Sequence, residues 1–262
     1  MSKKFSTSTI FVSILAILSL LFLYLPIIVV VLYSFNTESV SSFPMSGLTL
    51  HWYGVMAQNT DLIQSLINSV IVAVIGTCVA ILIGVPAAYG MYKYNFPGKA
   101  VLEKMVILPM MLPGIITGIS ILTFLQMVGI VQGPTAVVLG HSTFLIGTVV
   151  PQVYARLRQL DKNIEEASLD LGASKIQTFL FVVLPNIKTA IFGAGLLSIS
   201  LSLDEIPVTF FLNGVFTTLP IKIYAMTRNG FTPEINAICS LILVFSIVMV
   251  VISTMAQKRS EA

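Results

Sequence analysis

Charge is what this chain has least of. Of its 262 residues only 14 are Lys or Arg and 11 are Asp or Glu, 10% in all, where soluble domains carry roughly 25%. A 56% hydrophobic fraction and a mean hydropathy of +0.97 leave too few charges to coat a globule of this size. That scarcity excludes a secreted scaffold, an ordinary cytosolic enzyme and a nucleic-acid binder with a basic face. Cysteine is scarce as well. Cys78 and Cys239 fall in apolar stretches and read as small buried residues rather than as a disulfide. With His51 and His141 the only histidines, no His-based metal site can be assembled, and no metal is expected.

What is present is a set of long uncharged runs, so lipid is the solvent for much of the chain. Lys4 and Glu38 bracket 33 uncharged residues, and a helix needs about 20 to cross a bilayer. A cleaved signal peptide has an apolar core of only about 7–15 residues, whereas this run continues into Leu32-Tyr33-Ser34-Phe35-Asn36 and reads as an uncleaved helix. Lys104 and Arg156 bracket 51 uncharged residues, too many for one span, with Gly129 to Pro134 as the turn between two. The expected spans are about 10–33, 62–91, 106–128, 135–154, 187–212 and 235–256, a single transmembrane domain over 1–262. Thr232-Pro233-Glu234 has the residue types of a helix start. Runs of this length exclude a membrane β-barrel, whose strands need about 9–11 residues.

Six spans put both termini on one side, and basic residues say which. With the N-terminus cytoplasmic, Lys3, Lys4, Lys93, Lys99, Lys104, Arg156, Arg158, Lys162, Lys175, Lys188, Lys258 and Arg259 lie inside, against Lys222 and Arg228 outside. The expected class is thus an all-α polytopic membrane protein with six transmembrane helices and cytoplasmic N- and C-termini.

The chain's densest run of charge lies in the cytoplasmic loop 155–186. Leu160, Ile164, Ala167 and Leu171 recur at i, i+4, i+7 and i+11, one apolar stripe on a short helix. Gly172 stands where a left-handed C-terminal cap belongs, and Ser174 can cap a second helix over 175–184, ended by Pro185. The spacing predicts a helix–turn–helix knuckle whose stripe must rest on a partner, because the flanking loops are too short to cover it.

Glu166-Ala167-Ser168-Leu169-Asp170-Leu171-Gly172-Ala173-Ser174, followed by Val182-Val183-Leu184-Pro185, resembles the EAA loop of permease subunits of binding-protein-dependent ABC importers. Within that family the chain is most similar to the second permease subunit of spermidine/putrescine importers, through Leu201-Ser202-Leu203-Asp204-Glu205, Leu219-Pro220-Ile221-Lys222-Ile223-Tyr224, Thr232-Pro233-Glu234-Ile235-Asn236-Ala237 and Leu48-Thr49 with Trp52-Tyr53. The resemblance implies the type I ABC importer permease fold and an ATPase-coupling role for Glu166, Ala167, Asp170, Leu171, Gly172, Ala173, Leu184 and Pro185. It also implies partners: a homologous permease subunit in a heterodimer, two ATPase subunits and an extracytoplasmic solute-binding protein. The chain departs from the family at Ser168, usually a second Ala, and at Thr189, near which a further Pro is common.

A phosphate-cradling loop needs Gly-x-x-x-x-Gly-Lys-Ser/Thr, and the only Gly-Lys pair, Gly98-Lys99, follows Lys93 and precedes Ala100. No cofactor is expected on this chain, ATP-Mg belongs to the partner ATPase subunits, and the chain is not expected to be an enzyme. Asp204 and Glu205 are candidates for a cationic substrate path. Sixteen residues beyond Lys188, at about 1.5 Å each, put Asp204 roughly 24 Å across a core about 30 Å thick. Pro207 kinks or ends the helix there, placing the acids toward a helix C-terminus, so a cation is one partner for them; outer water, Lys222 or Arg228 is the other reading. His141 reads as an interhelical hydrogen-bonding group. Pro109 and Pro113-Gly114 either kink a helix for packing or free carbonyls to line a cavity. Trp52 and Tyr53 read as an interfacial anchor on a loop that also faces a docking receptor. Together these features predict a polyamine importer permease. The alternatives are an importer permease for another cationic or neutral small solute and a secondary carrier run by an ion gradient. An intramembrane enzyme would need a nucleophile and base, or metal ligands, facing each other, and no such constellation is visible.

Overall fold

Apolar runs of this length leave the backbone no hydrogen-bond partner but itself, so the chain folds into helices. The computed structural model describes the backbone of residues 7–39, 44–228 and 232–261, and the side chains of 11–39, 44–161, 163–228 and 232–247. Lys3, Lys4 and the side chains of Lys162, Lys258 and Arg259, counted above for orientation, lie outside the described residues, as do side chains in the last part of the sixth expected span.

The elements in chain order are α1 (Thr7–Tyr33), α2 (His51–Gln58), α3 (Thr60–Lys93), α4 (Lys99–Met111), α5 (Gly114–Met127), α6 (Pro134–Arg158), α7 (Lys162–Asp170) and α8 (Lys175–Gln177). A π-helical segment, Thr178–Val183, joins α8 to α9 (Leu184–Leu203), and α10 (Pro207–Leu212), α11 (Leu219–Arg228) and α12 (Pro233–Glu261) follow. Helices α1, α3, α6 and the continuous run Lys175–Leu203 are each long and apolar enough to cross a membrane, and the pair α4–α5 counts as one more if taken as a single span. In α12 the apolar stretch Pro233–Ile247 starts where Thr232-Pro233-Glu234 predicts.

Two of the expected spans differ from the sequence reading. The one placed at 106–128 is two helices bent by 107°. The residue before a proline is pushed out of the helical region, and Leu112 ahead of Pro113 is extended, at φ −73° and ψ 148°. The one placed at 187–212 begins earlier and stops sooner: helix runs from Lys175 to Leu203, and α10 stands apart as a six-residue helix opened by Pro207. Pro185 therefore does not end the helix begun at Lys175. A proline lacks the N–H that an α-helix interior needs, and the π segment directly before it shifts the hydrogen-bond register so that Pro185 enters as the second residue of α9.

The chain divides into two compact units, residues 1–63 with 223–262 and residues 64–222. In the first, α12 packs on α1 and α2. The loop after α1 is pinned there: Trp52 Nε1 donates to the Asn36 carbonyl at 2.7 Å, the Thr49 N–H donates to the Phe35 carbonyl at 2.7 Å, and the Ser34 and Tyr53 hydroxyls are 2.7 Å apart. Trp52 and Tyr53 thus hold a loop.

The second unit has two cores. Ala80, Val85, Ala88 and Met91 of α3 close with Leu145, Val149, Val153 and Leu157 of α6 and with Val183, Ile187 and Ala194 from the π segment and α9. Val72, Leu125, Ala136, Val137, Val208 and Leu212 form the other, joining α3, α5, α6 and α10. Cys78 is exposed on α3 and Cys239 half-buried on α12, so the expectation of a buried Cys78 is corrected; its face of the helix carries Leu82, also exposed, whereas Thr77 and Ala80 turn inward.

Helices α4 and α6 approach closely enough that a Cβ on Gly147 would stand 2.9 Å from the Val106 carbonyl oxygen. Because that neighbour is backbone, the helices must separate to admit a side chain. Gly147→Val is expected to cost about 1–3 kcal/mol, read as a lowered Tm of the detergent-purified protein, while Gly90→Ala, with nothing within 4 Å of the added carbon, serves as the unaffected comparison.

Candidate functional site

The loop 155–186 folds as the spacing predicts in its first half. Asp161 caps α7, its carboxylate accepting the Asn163 N–H at 3.0 Å. Gly172 is left-handed at φ +86°, a region where other residues are strained. Ser174 and Gln177 form a capping box, the Ser174 hydroxyl accepting the Gln177 N–H while the Gln177 side chain accepts the Ser174 N–H at 2.8 Å. Leu184 and Pro185 lie at the start of α9, half-buried and exposed.

Helix α7 sorts its side chains sharply. Ile164, Glu166, Ala167, Leu169 and Asp170 are exposed, as are Leu171, 90% exposed, and Gly172 beyond the helix; Ala173 is half-buried. Of the apolar stripe, Leu160 is half-buried against the first core, while Ile164, Ala167 and Leu171 stand exposed. Among the described side chains of α7 the one buried is Glu165, 2% exposed, which sequence reasoning passed over for its neighbour. Its Oε2 accepts from Lys93 Nζ at 2.5 Å and from the Tyr89 hydroxyl at 3.2 Å. Successive helical residues point about 100° apart, and of the two adjacent acids Glu165 is buried while Glu166 is exposed. Ser168, the departure from the family pattern, lies 3.1 Å from the Thr178 hydroxyl and ties α7 to the π segment.

The second group of candidates lies where α9 stops. Asp204 is exposed, directly after the last residue of α9. Glu205 is half-buried and turned to α10: its Oε1 accepts the Val208 N–H at 2.8 Å, and its carbonyl accepts from the Thr209 hydroxyl at 3.0 Å. The dipole at a helix C-terminus opposes Asp204, as the sequence suggests, but Glu205 has a backbone donor that the position of Pro207 alone does not reveal. The break between α4 and α5 meets this one, since a Cβ on Gly114 would lie 2.7 Å from Pro207 Cβ and 3.6 Å from Glu205 Oε1.

His141 holds the same region from α6. Buried at 1% exposure, its Nδ1 is 2.7 Å from the Ser202 hydroxyl of α9 and its Nε2 2.8 Å from the Thr209 hydroxyl of α10. A neutral imidazole donates through one nitrogen and accepts at the other, so both hydroxyls are satisfied. Ser202 and Thr209, 61 and 68 residues away in sequence, carry no signal that would have paired them with it.

Apolar helices interrupted by two abutting breaks, with a polar helical knuckle between the fourth and fifth apolar segments, define a helical membrane transport component. The family model described as "Binding-protein-dependent transport system inner membrane component" matches residues 80–261. The chain belongs to this family. It is 34% identical to the spermidine/putrescine transport system permease protein PotC of Haemophilus influenzae, over 92% of this chain and 93% of that one. It is 37% identical to PotC of Escherichia coli K12, over 88% of each, and 33% identical to that organism's putrescine transport system permease protein PotI, over 88% of this chain and 84% of that one. Among solved structures, a chain of a bacterial ABC transporter that imports the acidic polysaccharide alginate superposes with a TM-score of 0.73 at 19% identity, covering 99% of this chain and 98% of that one. A chain of an amino acid ABC transporter gives 0.60 at 17% identity, covering 81% and 100%. These two establish the fold.

Removing the histidine that bridges α6, α9 and α10 takes the imidazole from the buried Ser202 hydroxyl and leaves the Thr209 hydroxyl with the Glu205 carbonyl. His141→Ala is expected to cost about 1–2 kcal/mol, measured as a fall in Tm, with His141→Gln losing less because an amide can both donate and accept.

Proposed function

We propose that this chain is the transmembrane permease subunit of an ATP-driven importer of polyamines, small extended polycations. The observation that carries the coupling role is the sorting of α7: Glu166, Ala167, Leu171 and Gly172 stand exposed, while the helix is held from behind by Glu165. A charged and apolar face on a short capped helix suits a groove on a separate ATPase subunit. That subunit binds ATP-Mg and supplies the energy, a second permease subunit completes the pathway, and an extracytoplasmic binding protein delivers the solute at the other face of the bacterial inner membrane.

The polyamine assignment rests on the names of the relatives and on Asp204. That carboxylate stands exposed at the end of an apolar helix, and a negative charge within a membrane span suits a cationic solute. Mechanistically, ATP-driven closure of the ATPase subunits displaces α7, and the continuous helix from Lys175 to Leu203 carries the displacement toward the break at Asp204.

Replacing Gly172 by Asp forces a side chain into the left-handed turn, and replacing Glu166 by Gln removes the outward charge. Both are expected to lose the ATPase subunit on co-purification and to abolish spermidine uptake; unchanged assembly and uptake would remove the coupling role. Asp204→Asn is expected to raise KM for spermidine about tenfold, the loss of one charge-assisted contact, with assembly intact. Glu205→Gln keeps the cap on α10 and is expected to have the smaller effect.

A further inference from the structure

The buried polar groups around His141 and around Glu165 differ in kind. At His141 each ring nitrogen has a hydroxyl partner, the full satisfaction that marks a structural network. At Glu165 one carboxylate oxygen takes both donors while Oε1, equally buried, has none. A half-satisfied buried acid costs stability, and such costs persist where function needs the group. The site is also not tightly filled: Glu165, Glu166, Lys93, Tyr92, Tyr154 and Arg158 line a cavity of about 480 Å³. The pair therefore has room to change geometry without being pulled apart.

Its place in the chain gives that freedom a use. Lys93 is the last residue of α3 and Tyr89 lies one turn before it, so Glu165 joins the knuckle to the end of a 34-residue helix. Tyr89 in turn stacks on Phe179 of the π segment, ring centres 4.7 Å apart. We propose that Glu165 is a positioning residue which, through Lys93 and Tyr89, passes displacement of α7 to α3, while its neighbour Glu166 faces the ATPase. This rests on the coupling reading of α7 given above. The two adjacent acids divide the work: one engages the partner, the other this chain's own membrane helix.

The test uses the whole complex in liposomes, with the partner permease, ATPase subunits and binding protein. Glu165→Gln and the milder Tyr89→Phe are expected to keep the ATPase subunit bound, which separates them from the Glu166 and Gly172 variants. Spermidine taken up per ATP hydrolysed is expected to fall about 5- to 150-fold in Glu165→Gln, the range of typical coupling between sites, and less in Tyr89→Phe. The exchanged pair Lys93→Glu with Glu165→Lys restores it. A second readout needs no solute: ATP-induced change in amide hydrogen exchange over the last two turns of α3 is expected in the unmodified complex and lost in Glu165→Gln. If that change persists in Glu165→Gln, if uptake per ATP is unaltered, or if an exchanged pair that still holds the ATPase fails to recover, the inference is overturned. Absence of spermidine uptake by the unmodified complex, with the exchange response intact, would overturn only the polyamine reading.

Discussion

A helix that stops within an apolar stretch leaves carbonyls and N–H groups with no water to take them, and the packing of α5, α6, α9 and α10 accommodates two such stops. One follows Met111, the other Leu203. They are set side by side, Gly114 against Pro207, so that a single region of irregular backbone is solved once. Glu205 supplies a carboxylate to the Val208 N–H, and the Thr209 hydroxyl returns to the Glu205 carbonyl. His141 then bolts α9 and α10 to α6 through Ser202 and Thr209. With those groups engaged, Asp204 remains exposed between two helix ends.

The knuckle is built on the opposite principle. Its backbone is fully capped, by Asp161, by the left-handed Gly172 and by the Ser174–Gln177 box, so the fold of the loop does not wait on a partner. Its side chains do wait. Ile164, Ala167 and Leu171 form a stripe that its own unit leaves bare, and exposed apolar surface on a rigid support is what a docking partner covers at low entropic cost.

How far the sequence discloses this depends on whether the signal is local. Gly172, Ser174 and Pro207 act through their own backbone, and each stands where its residue type predicts. Thr232-Pro233 likewise opens α12. Pro185 misleads, because whether a proline ends a helix depends on the register of the turn before it, and six residues of π-helix absorb it here. The pairing of Glu165 with Lys93, across 72 residues, has no local signature at all. Neither of two adjacent glutamates announces which faces inward; that follows only once α7 is laid against the end of α3. The same holds for His141, whose role as a hydrogen-bonding group is readable from its type while its two partners are not.

The unbroken passage through Pro185 has a mechanical consequence that a stop there would have removed. From Lys175 to Leu203 the chain is one rod of 29 residues, about 43 Å at 1.5 Å per residue. One end begins two residues after the Gly172-Ala173 turn and the other ends at Asp204. Had the helix ended at Pro185, a joint would separate the knuckle from the acidic break. Instead the only irregularity is the π segment, which is hydrogen-bonded throughout, bound to α7 through Ser168 and Thr178, and stacked on Tyr89 through Phe179. A π segment differs from its α neighbours by one hydrogen-bond register, which lets the helix pass Pro185 without a stop. The knuckle's two attachments, Ser168 to this segment and Glu165 to the end of α3, therefore tie it to two long helices at once.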